Sequence, residues 1–387
     1  GYGLMIEIIL ILIFTTLYVF IKTNSAIRAI GNLIFLNFLI IYVSTPTVNP
    51  LLNSWEKGVL CQPVFLLRYI VLSIIFLLLI AIVIKRQLFI SIIKSIGLLR
   101  TLHFAVMTLI GVFIVGHVSI DVGNLMDYSQ VGNVGMLGLA IFSVMFIWQY
   151  AVMINNVYDV EIDKVTKKDR LLVQGYISPK TAKKIAFIFA FIGMALSAIL
   201  SLWHFLLALL FLFLATIYSV PPLRLRDYPF SPLFIGAGSS IAFLMGCLTP
   251  SYIVADQSII KIFPAISEKI YIVSLLIFIT LSIGGMTKDI DDYYGDKKEG
   301  VRNIFTIYGI DRGINIVSAL LAIAFLSPLL LFHTFIDALI FIISGIFAIL
   351  SFRKIRRMWS TFPFYFFVLI YALLRWFSIC LLYTSPS

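Results

Sequence analysis

Apolar blocks close to the length of a bilayer crossing recur along almost the whole of this 387-residue chain. They occupy 4–21, 30–44, 62–84, 102–118, 133–155, 184–202, 204–220, 230–249, 270–287, 313–331, 335–352 and 361–383. A membrane-crossing helix needs ~20 apolar residues, and its backbone groups must be satisfied within the segment because hydrocarbon offers no partners. A β-barrel would instead show weak alternation over strands of ~10 residues. Mean hydropathy of +1.07 with 12% charged residues agrees. The expected fold class is therefore all-α, a polytopic membrane helical bundle. The second block, short and interrupted by Asn32 and Asn37, is the weakest of the twelve.

A net charge of +11 would suit nucleic acid, but its distribution argues against that partner. Alternating the blocks across a bilayer puts 24 of the 29 Lys and Arg on one face. They include Lys85, Arg86, Lys94 and Arg100, seven residues in 164–184, five in 288–312 and four in 353–357. The opposite face holds Lys57, Lys261 and Lys269, while Arg68 and Arg375 fall inside blocks. Cytoplasmic loops carry the excess of Lys and Arg, so the rich face is expected to be cytoplasmic and both termini outside.

The acidic residues are distributed quite differently. Nine of the 18 Asp and Glu fall in two patches, Asp159, Glu161, Asp163 and Asp169, then Asp289, Asp291, Asp292, Asp296 and Glu299. Carboxylates beside a bilayer are costly and are kept where they bind ions, carry protons or hold a substrate. Both patches land on the basic, cytoplasmic face, each inside a skirt of Lys and Arg. That combination points to divalent metal and phosphate chemistry at a membrane surface.

In the first patch Asn155, Asp159 and Asp163 stand at i, i+4 and i+8, one helical face over ~12 Å. Aligned carboxylates repel unless cations sit between them. Oxygen-only ligands select hard cations, and Mg²⁺ commonly shares its shell with water and substrate phosphates. A polar helix end entering water is the plain alternative for a single such patch. The basic run around Lys164 and Arg170 follows, and arginine suits bidentate phosphate pairing. In the second patch Asp289, Asp292 and Asp296 stand at i, i+3 and i+7, with Asp291 pointing elsewhere. Gly295 and Gly300 predict a helix that ends and turns inside the motif. Two such faces suit a diphosphate clamped by two or more metal ions.

Taken with the later run Tyr218-Ser219-Val220-Pro221-Pro222-Leu223-Arg224-Leu225-Arg226, these motifs resemble those of the UbiA-type intramembrane prenyltransferases. The resemblance rests on Asn155…Asp159…Asp163, Arg170…Gly175-Tyr176-Ile177-Ser178, Tyr218–Arg226 and Lys288–Gly300, in family order, and spans 97–383. It implies a nine-helix core over 97–387, with residues 1–96 as an N-terminal extension of about three further transmembrane helices. It also implies transfer of an isoprenyl group from an isoprenyl diphosphate donor to a lipophilic acceptor. Asn155, Asp159, Asp163, Asp289, Asp292 and Asp296 would hold two or more Mg²⁺ ions, with Mn²⁺ able to substitute. Asp159, Asp163, Asp292 and Asp296 would be the catalytic carboxylates. Asn155, Arg170, Tyr218, Arg224, Lys164 and Lys288 would contact the diphosphate. The chain departs from the family pattern at Asn156, Leu171 and Gln174, all beside the metal face, which bears on substrate choice.

The same residues admit other readings. A cyclase of the same family would share the donor site but lack an acceptor. An ion-coupled transporter would place its carboxylates near the bilayer midplane on broken helices. A non-catalytic scaffold leaves both patches unexplained. The acceptor itself is not legible; Arg100, His103 and Arg375 are candidate contacts, with an internal ion pair or snorkelling as the plainer role for Arg375. An allylic cation needs a water-poor, aromatic pocket, and Phe142, Phe146, Trp148, Tyr150, Phe243 and Phe278 lie on the relevant blocks. Cys61, Cys247 and Cys380 form no CxxC pair, and packing is their expected role. The first block lacks a small-residue cleavage pattern after it, unlike a signal peptide. The opening Gly1-Tyr2, without Met, points to a start upstream.

Overall fold

A computed structural model describes residues 2–25, 28, 30–33, 97–118, 131–166, 170, 172–254, 268–298 and 300–384. The chain divides into two compact units, Gly1–Leu72 with Gln130–Gly132, and Ser73–Ser129 with Asn133–Ser387. In the first unit, helix α1 (Tyr2–Thr23) covers the first apolar block. The block at 62–84, the turn at 45–50, most of the block at 30–44, the stretch 85–96 and Cys61 lie outside the described residues.

Among its described residues the second unit consists of helices joined by turns, with no strand. Its longer helices are α2 (Leu98–Val118), α3 (Val131–Tyr158), α5 (Pro179–Leu200), α6 (Leu202–Ser219) and α7 (Pro232–Val254). They continue with α8 (Glu268–Met286), α11 (Ile310–Leu326), α12 (Phe335–Ile355) and α13 (Phe362–Thr384). Three short helices, α4 (Val160–Thr166), α9 (Tyr293–Lys298) and α10 (Ile304–Tyr308), sit between them. The long ones coincide with the apolar blocks from 102 onward. Seven, namely α3, α5, α6, α7, α8, α11 and α12, are long and apolar enough to cross a bilayer.

Capping explains where the boundaries depart from the apolar blocks. Helix α5 begins before its block because Ser178 caps it, accepting from the Thr181 amide with Pro179 in the first turn. Its charged first turn, Lys180 to Lys184, is helix that an apolar count passes over. Ser201 both ends α5 and caps α6 by accepting from the His204 amide. One residue thus divides two apolar runs that hydropathy alone would nearly fuse.

Helix α7 is the axle of this unit, with 72% of its crossing segment buried, the largest share of any span. It lies against α2 on one side and α8 on the other. The α2 contact is backbone against backbone: a Cβ on Gly111 would lie 2.1 Å from the Phe243 carbonyl, and one on Gly246 would lie 2.0 Å from that of Thr108. In hydrocarbon, helices gain from such close approach because burial of apolar area no longer drives association. Side-chain hydrogen bonds add to it. Ser143 donates to the Gly193 carbonyl (2.9 Å), Ser240 to that of Ser274 (2.7 Å), and the Tyr150 and Thr216 hydroxyls meet at 2.7 Å.

The end of the bundle remote from the acidic motifs holds one buried charge. Asp337, fully buried, caps α12 in a box with Thr334 and accepts from Tyr371 Oη (2.5 Å) and Arg375 Nε (3.1 Å) of α13. Arg375, a candidate acceptor contact in the sequence, is thus the internal partner of this carboxylate. At the other end the loops meet one another. The Arg302 amide donates to the Asp227 carbonyl (3.0 Å), the Met358 amide donates to Asp291 Oδ2 (3.1 Å), and Arg356 pairs with Asp311 (3.1 Å). Segments that the alternation of blocks assigns to one membrane face are therefore in contact.

Replacing Asp337 should be costly, because two donors on α13 would lose their acceptor together. Asp337→Ala is expected to destabilise the protein by about 3–5 kcal/mol, the range for breaking a buried ion pair from one side. Thermal unfolding in detergent measures it; a midpoint unchanged from that of the unsubstituted protein would show that the network carries no stability.

Candidate active site

The first acidic motif lies where a long helix breaks without losing its register. α3 ends at Tyr158 and α4 starts at Val160, yet the Asp159 amide donates to the Asn155 carbonyl (3.0 Å) and the Asp163 amide to that of Asp159 (2.8 Å). Asn155, Asp159 and Asp163 consequently share a face, as their spacing predicts. Both carboxylates are buried, at 3% exposure each. Buried charge demands partners, and both have cationic ones. Asp163 Oδ2 accepts from Arg170 Nη1 (2.5 Å), which also donates to Asn156 Oδ1 (2.7 Å). Asp159 is held by Asn155 Nδ2 (2.6 Å), by Arg224 Nη2 (3.3 Å) and, closest of all, by Arg226 Nη1.

The two arginines come from the segment after α6. Arg224 has a φ of +35°, in the left-handed region that a residue with a Cβ rarely adopts. The strain is held by its contacts, since its guanidinium spans Asp159 and Asp227, the latter at 3.1 Å from Nε. A 3₁₀ turn over Leu225–Asp227 then aims Arg226 at the same carboxylate. Burial lowers the Arg226 pKa, opposed by Asp227, Asp296 and Asp292 in turn. Arg226 therefore feels carboxylates of both motifs. Sequence reasoning did not include it among the site residues, although the Arg224-Leu225-Arg226 alternation was a usable signal.

The second motif departs from the single helical face read from its spacing. A 3₁₀ turn over Thr287–Ile290 carries Lys288 and Asp289, a bend follows at Asp292, and α9 carries Asp296. Gly295 lies within α9, and the turn falls at Gly300, whose φ is +74°. The reason is local: 3₁₀ geometry closes each turn with fewer residues than an α-helix, so the i, i+3, i+7 pattern spans two elements. Lys288 pairs with Asp292 at 2.8 Å. Asp296 Oδ2 accepts from Asn303 Nδ2 (2.8 Å), a second residue the sequence did not single out. Burial, then the neighbouring Asp292 carboxylate, push the Asp296 pKa above the ordinary range, against Lys288, Arg226 and the Asn303 hydrogen bond. Asp291 faces away, as expected, and tethers the Met358 amide.

Tyr218 stands near the end of α6. Its ring lies 5.8 Å from that of Phe234, and Asp289, Asp296, Asp227 and Arg100 are its electrostatic neighbours. Lys164 is the predicted residue that the structure sets apart: it pairs with Glu161 at 2.7 Å on an exposed surface, an i, i+3 contact that turns it off the shared face. Beside Arg224 a pocket of about 330 Å³ opens, lined by Pro221, Asp227, Tyr228, Gly300 and Arg302 among others.

The donor set fits hard divalent cations. It is oxygen only, and Asp289 Oδ2 is buried with no hydrogen-bond partner, an acceptor left for a ligand. Among the described residues no three His, Cys, Asp or Glu side chains converge on one point. Mg²⁺ binding with few protein ligands, completed by phosphate oxygens and water, is the mode that such an arrangement suits. Of the aromatic candidates, Phe243 and Tyr150 are buried, Trp148 stacks on Phe104 at 4.2 Å, and Phe142 is exposed.

Known proteins resemble this chain in sequence and in fold. The chain is 31% identical over 190 residues to a probable homogentisate phytyltransferase 2 of Oryza sativa, covering 46% of this chain and 48% of that one. It is 30% identical over 184 residues to digeranylgeranylglyceryl phosphate synthase of Saccharolobus solfataricus, covering 47% of this chain and 61% of that one. The aligned part thus spans between about half and three-fifths of these curated relatives. In fold, it matches a UbiA homologue of Archaeoglobus fulgidus bound to DMAPP and Mg²⁺, with a TM-score of 0.52 and 18% identity, over 75% of this chain and 98% of that one. A model of the UbiA prenyltransferase family matches residues 104–367, which takes in both acidic motifs and the arginines between them, and the chain belongs to that family.

Proposed function

We propose that the protein is a membrane-embedded, Mg²⁺-dependent transferase that moves an isoprenyl group from its diphosphate to a lipophilic acceptor. The observation that carries this reading is that Arg226 pairs with Asp159 of the first motif while Asp296 and Asp292 of the second act on it electrostatically. A site of alternating buried carboxylates and arginines suits a metal diphosphate, whose cations take the acids and whose oxygens take the bases. The names of the relatives and the donor and ion bound by the Archaeoglobus homologue support the same chemistry.

The geometry supports the following roles. Asn155, Asp159, Asp163, Asp289, Asp292 and Asp296 would hold two or more Mg²⁺ ions. Bound Mg²⁺ would neutralise charge developing on the departing pyrophosphate. Arg170, Arg224, Arg226 and Lys288, now paired with Asp163, Asp159 and Asp292, would turn to the diphosphate oxygens as the metals take over the acids. Tyr218 Oη, on which Asp289 and Asp296 of the second motif act electrostatically, would orient the diphosphate. The aromatic interior would exclude water from the allylic cation, which otherwise ends as an alcohol. We place the site on the cytoplasmic side from the excess of Lys and Arg on its loops. Residues 97–387 would form the catalytic core, with 1–96 an extension.

The metal requirement is directly testable. Pyrophosphate release from geranylgeranyl diphosphate should vanish in EDTA and return with Mg²⁺ or Mn²⁺. Full turnover in chelator would contradict the two-motif mechanism.

The carboxylates should rank by position. Asp159→Ala, Asp163→Ala, Asp292→Ala and Asp296→Ala should each lower turnover by ~10²-fold or more, as when a preorganised charge contact is lost. Asp291→Ala should be mild, because that side chain holds a loop amide outside the cluster. Steady-state kinetics of the five variants decide it; greater sensitivity at Asp291 than at Asp292 would overturn the assignment. Asp296→Asn should also leave the metal-free protein at least as stable, since the raised pKa means that burying its charge opposes folding above that pKa.

A chain starting at Lys85 should insert with the same orientation and retain measurable transfer. If the first three blocks instead wall the opening through which the prenyl tail enters, the shortened protein would bind pyrophosphate normally but lose affinity for long donors. Comparing the two affinities in both chains separates the outcomes.

A further inference from the structure

Prenyl transfer leaves one requirement unmet by the acidic and basic groups already assigned: the attacking atom of the acceptor must lose its proton. On that reading the carboxylates at Asp159, Asp163, Asp289, Asp292 and Asp296 would be taken by metal ions, and Asp291 holds the Met358 amide, which leaves the base to a group outside the motifs. His103 on α2 has the features required. It is half-buried, and its Nε2 lies 3.0 Å from Ser239 Oγ on α7. The Ser239 hydroxyl donates its own proton to the Ile235 carbonyl at 2.9 Å. With that proton on the Ile235 carbonyl, the Ser239 oxygen accepts from His103, the arrangement that puts the imidazole proton on Nε2 and leaves Nδ1 as a bare lone pair. Among the described residues nothing meets that nitrogen.

The contrast with His204 is informative. That ring is fully buried, with Nδ1 at 2.8 Å from Ser201 Oγ and Nε2 at 3.0 Å from the Met245 carbonyl, so both nitrogens are consumed by structure. His103 has one nitrogen anchored and one available.

Its depth is also right. Arg100, three residues earlier, acts electrostatically on Tyr218, which in turn sits among Asp289 and Asp296. Three residues of helix place His103 roughly 4.5 Å further along α2 than Arg100. On α7, Phe234 pairs with the Tyr218 ring, and Ser239 is five residues, roughly 7.5 Å, deeper. Both helices put the His103–Ser239 pair just on the membrane side of the diphosphate layer, where the first carbon of the prenyl chain must lie. Phe104 stands edge-on to the imidazole at 5.1 Å and carries Trp148 stacked upon it, an aromatic wall beside the same level.

We propose that His103 is the catalytic base that takes the acceptor's proton, with Ser239 the residue that orients it. This rests on the prenyl-transfer reading above. The acceptor oxygen or ring carbon supplies the electron pair of its new bond to the allylic carbon. The carbon–oxygen bond to the diphosphate breaks, its pair leaving on pyrophosphate. The acceptor's proton passes to Nδ1 of His103, giving an imidazolium that still donates through Nε2 to Ser239, and it leaves to water as the product departs.

The test uses the full chain in lipid nanodiscs with Mg²⁺, geranylgeranyl diphosphate as donor, and geranylgeranylglyceryl phosphate and homogentisate as separate acceptor probes. His103→Gln should lower prenyl transfer by ~10²-fold or more, within the range for loss of a general base. Binding of the non-ionising analogue geranylgeranyl thiolodiphosphate with Mg²⁺ should change less than threefold. Ser239→Ala, which frees the ring but keeps the base, should lower transfer about tenfold with the same unchanged binding. Imidazole in the buffer should restore part of the transfer by His103→Ala. Transfer by His103→Gln at the unsubstituted rate would overturn the assignment, as would a loss of analogue binding equal to the loss of transfer. An unsubstituted protein that binds the analogue but transfers to neither probe, and releases no pyrophosphate, would instead overturn the reading on which it rests.

Discussion

Everything at the polar end of this bundle depends on keeping Asp159 ionised inside protein. A carboxylate at 3% exposure is tolerable only with compensating charge, and here the compensation comes from residues 65 and 67 positions later in the chain, Arg224 and Arg226. Their approach forces the segment after α6 to fold over the end of α3, with Arg224 in a left-handed conformation. The same segment meets the second motif, through Arg226 electrostatically and through the Arg302 amide on the Asp227 carbonyl. One buried acid thus recruits the loop that closes the site.

The arrangement has the character of a charge lattice awaiting exchange. Guanidinium and ammonium groups sit where hard cations would bind, and the acids sit where diphosphate oxygens would otherwise repel. Such a lattice holds together without ligand, and on the proposed function each pair in it would be exchanged when a metal diphosphate binds. Asp289 Oδ2, buried and unpartnered, and Asp296, whose pKa burial and Asp292 raise, mark where the lattice is least satisfied. These are the positions at which a bound cation relieves most.

The apolar part positions this lattice by close packing. Gly111 and Gly246 bring α2 against α7 at backbone distance, and α7 in turn lies against α8, whose end carries the second motif. Arg100, His103, Phe234 and Ser239 therefore keep a constant depth relative to Tyr218. At the far end Asp337 ties α12 to α13 through Tyr371 and Arg375, so the two charged residues inside the late apolar blocks are structural partners.

How much of this was legible follows from range. Apolar block length determined the long helices from Leu98 onward, because backbone in hydrocarbon admits few alternatives. Loop charge determined which helix ends share a face. The i, i+4, i+8 spacing determined the shared face of Asn155, Asp159 and Asp163, because the helical hydrogen bonds run through the break at Asp159. The second motif was only half legible, since a 3₁₀ turn and a bend change the angle between Asp289 and Asp296, and spacing cannot distinguish 3₁₀ from α. Pairings between distant segments were not legible at all: Arg226 with Asp159, Asn303 with Asp296, Arg375 with Asp337, and Ser239 with His103. Local sequence sets which groups exist and how far apart they lie along one helix. Only the packing of α2, α7 and α8, and the loop drawn over Asp159, decides which of them meet, because that depends on contacts between residues far apart in the chain.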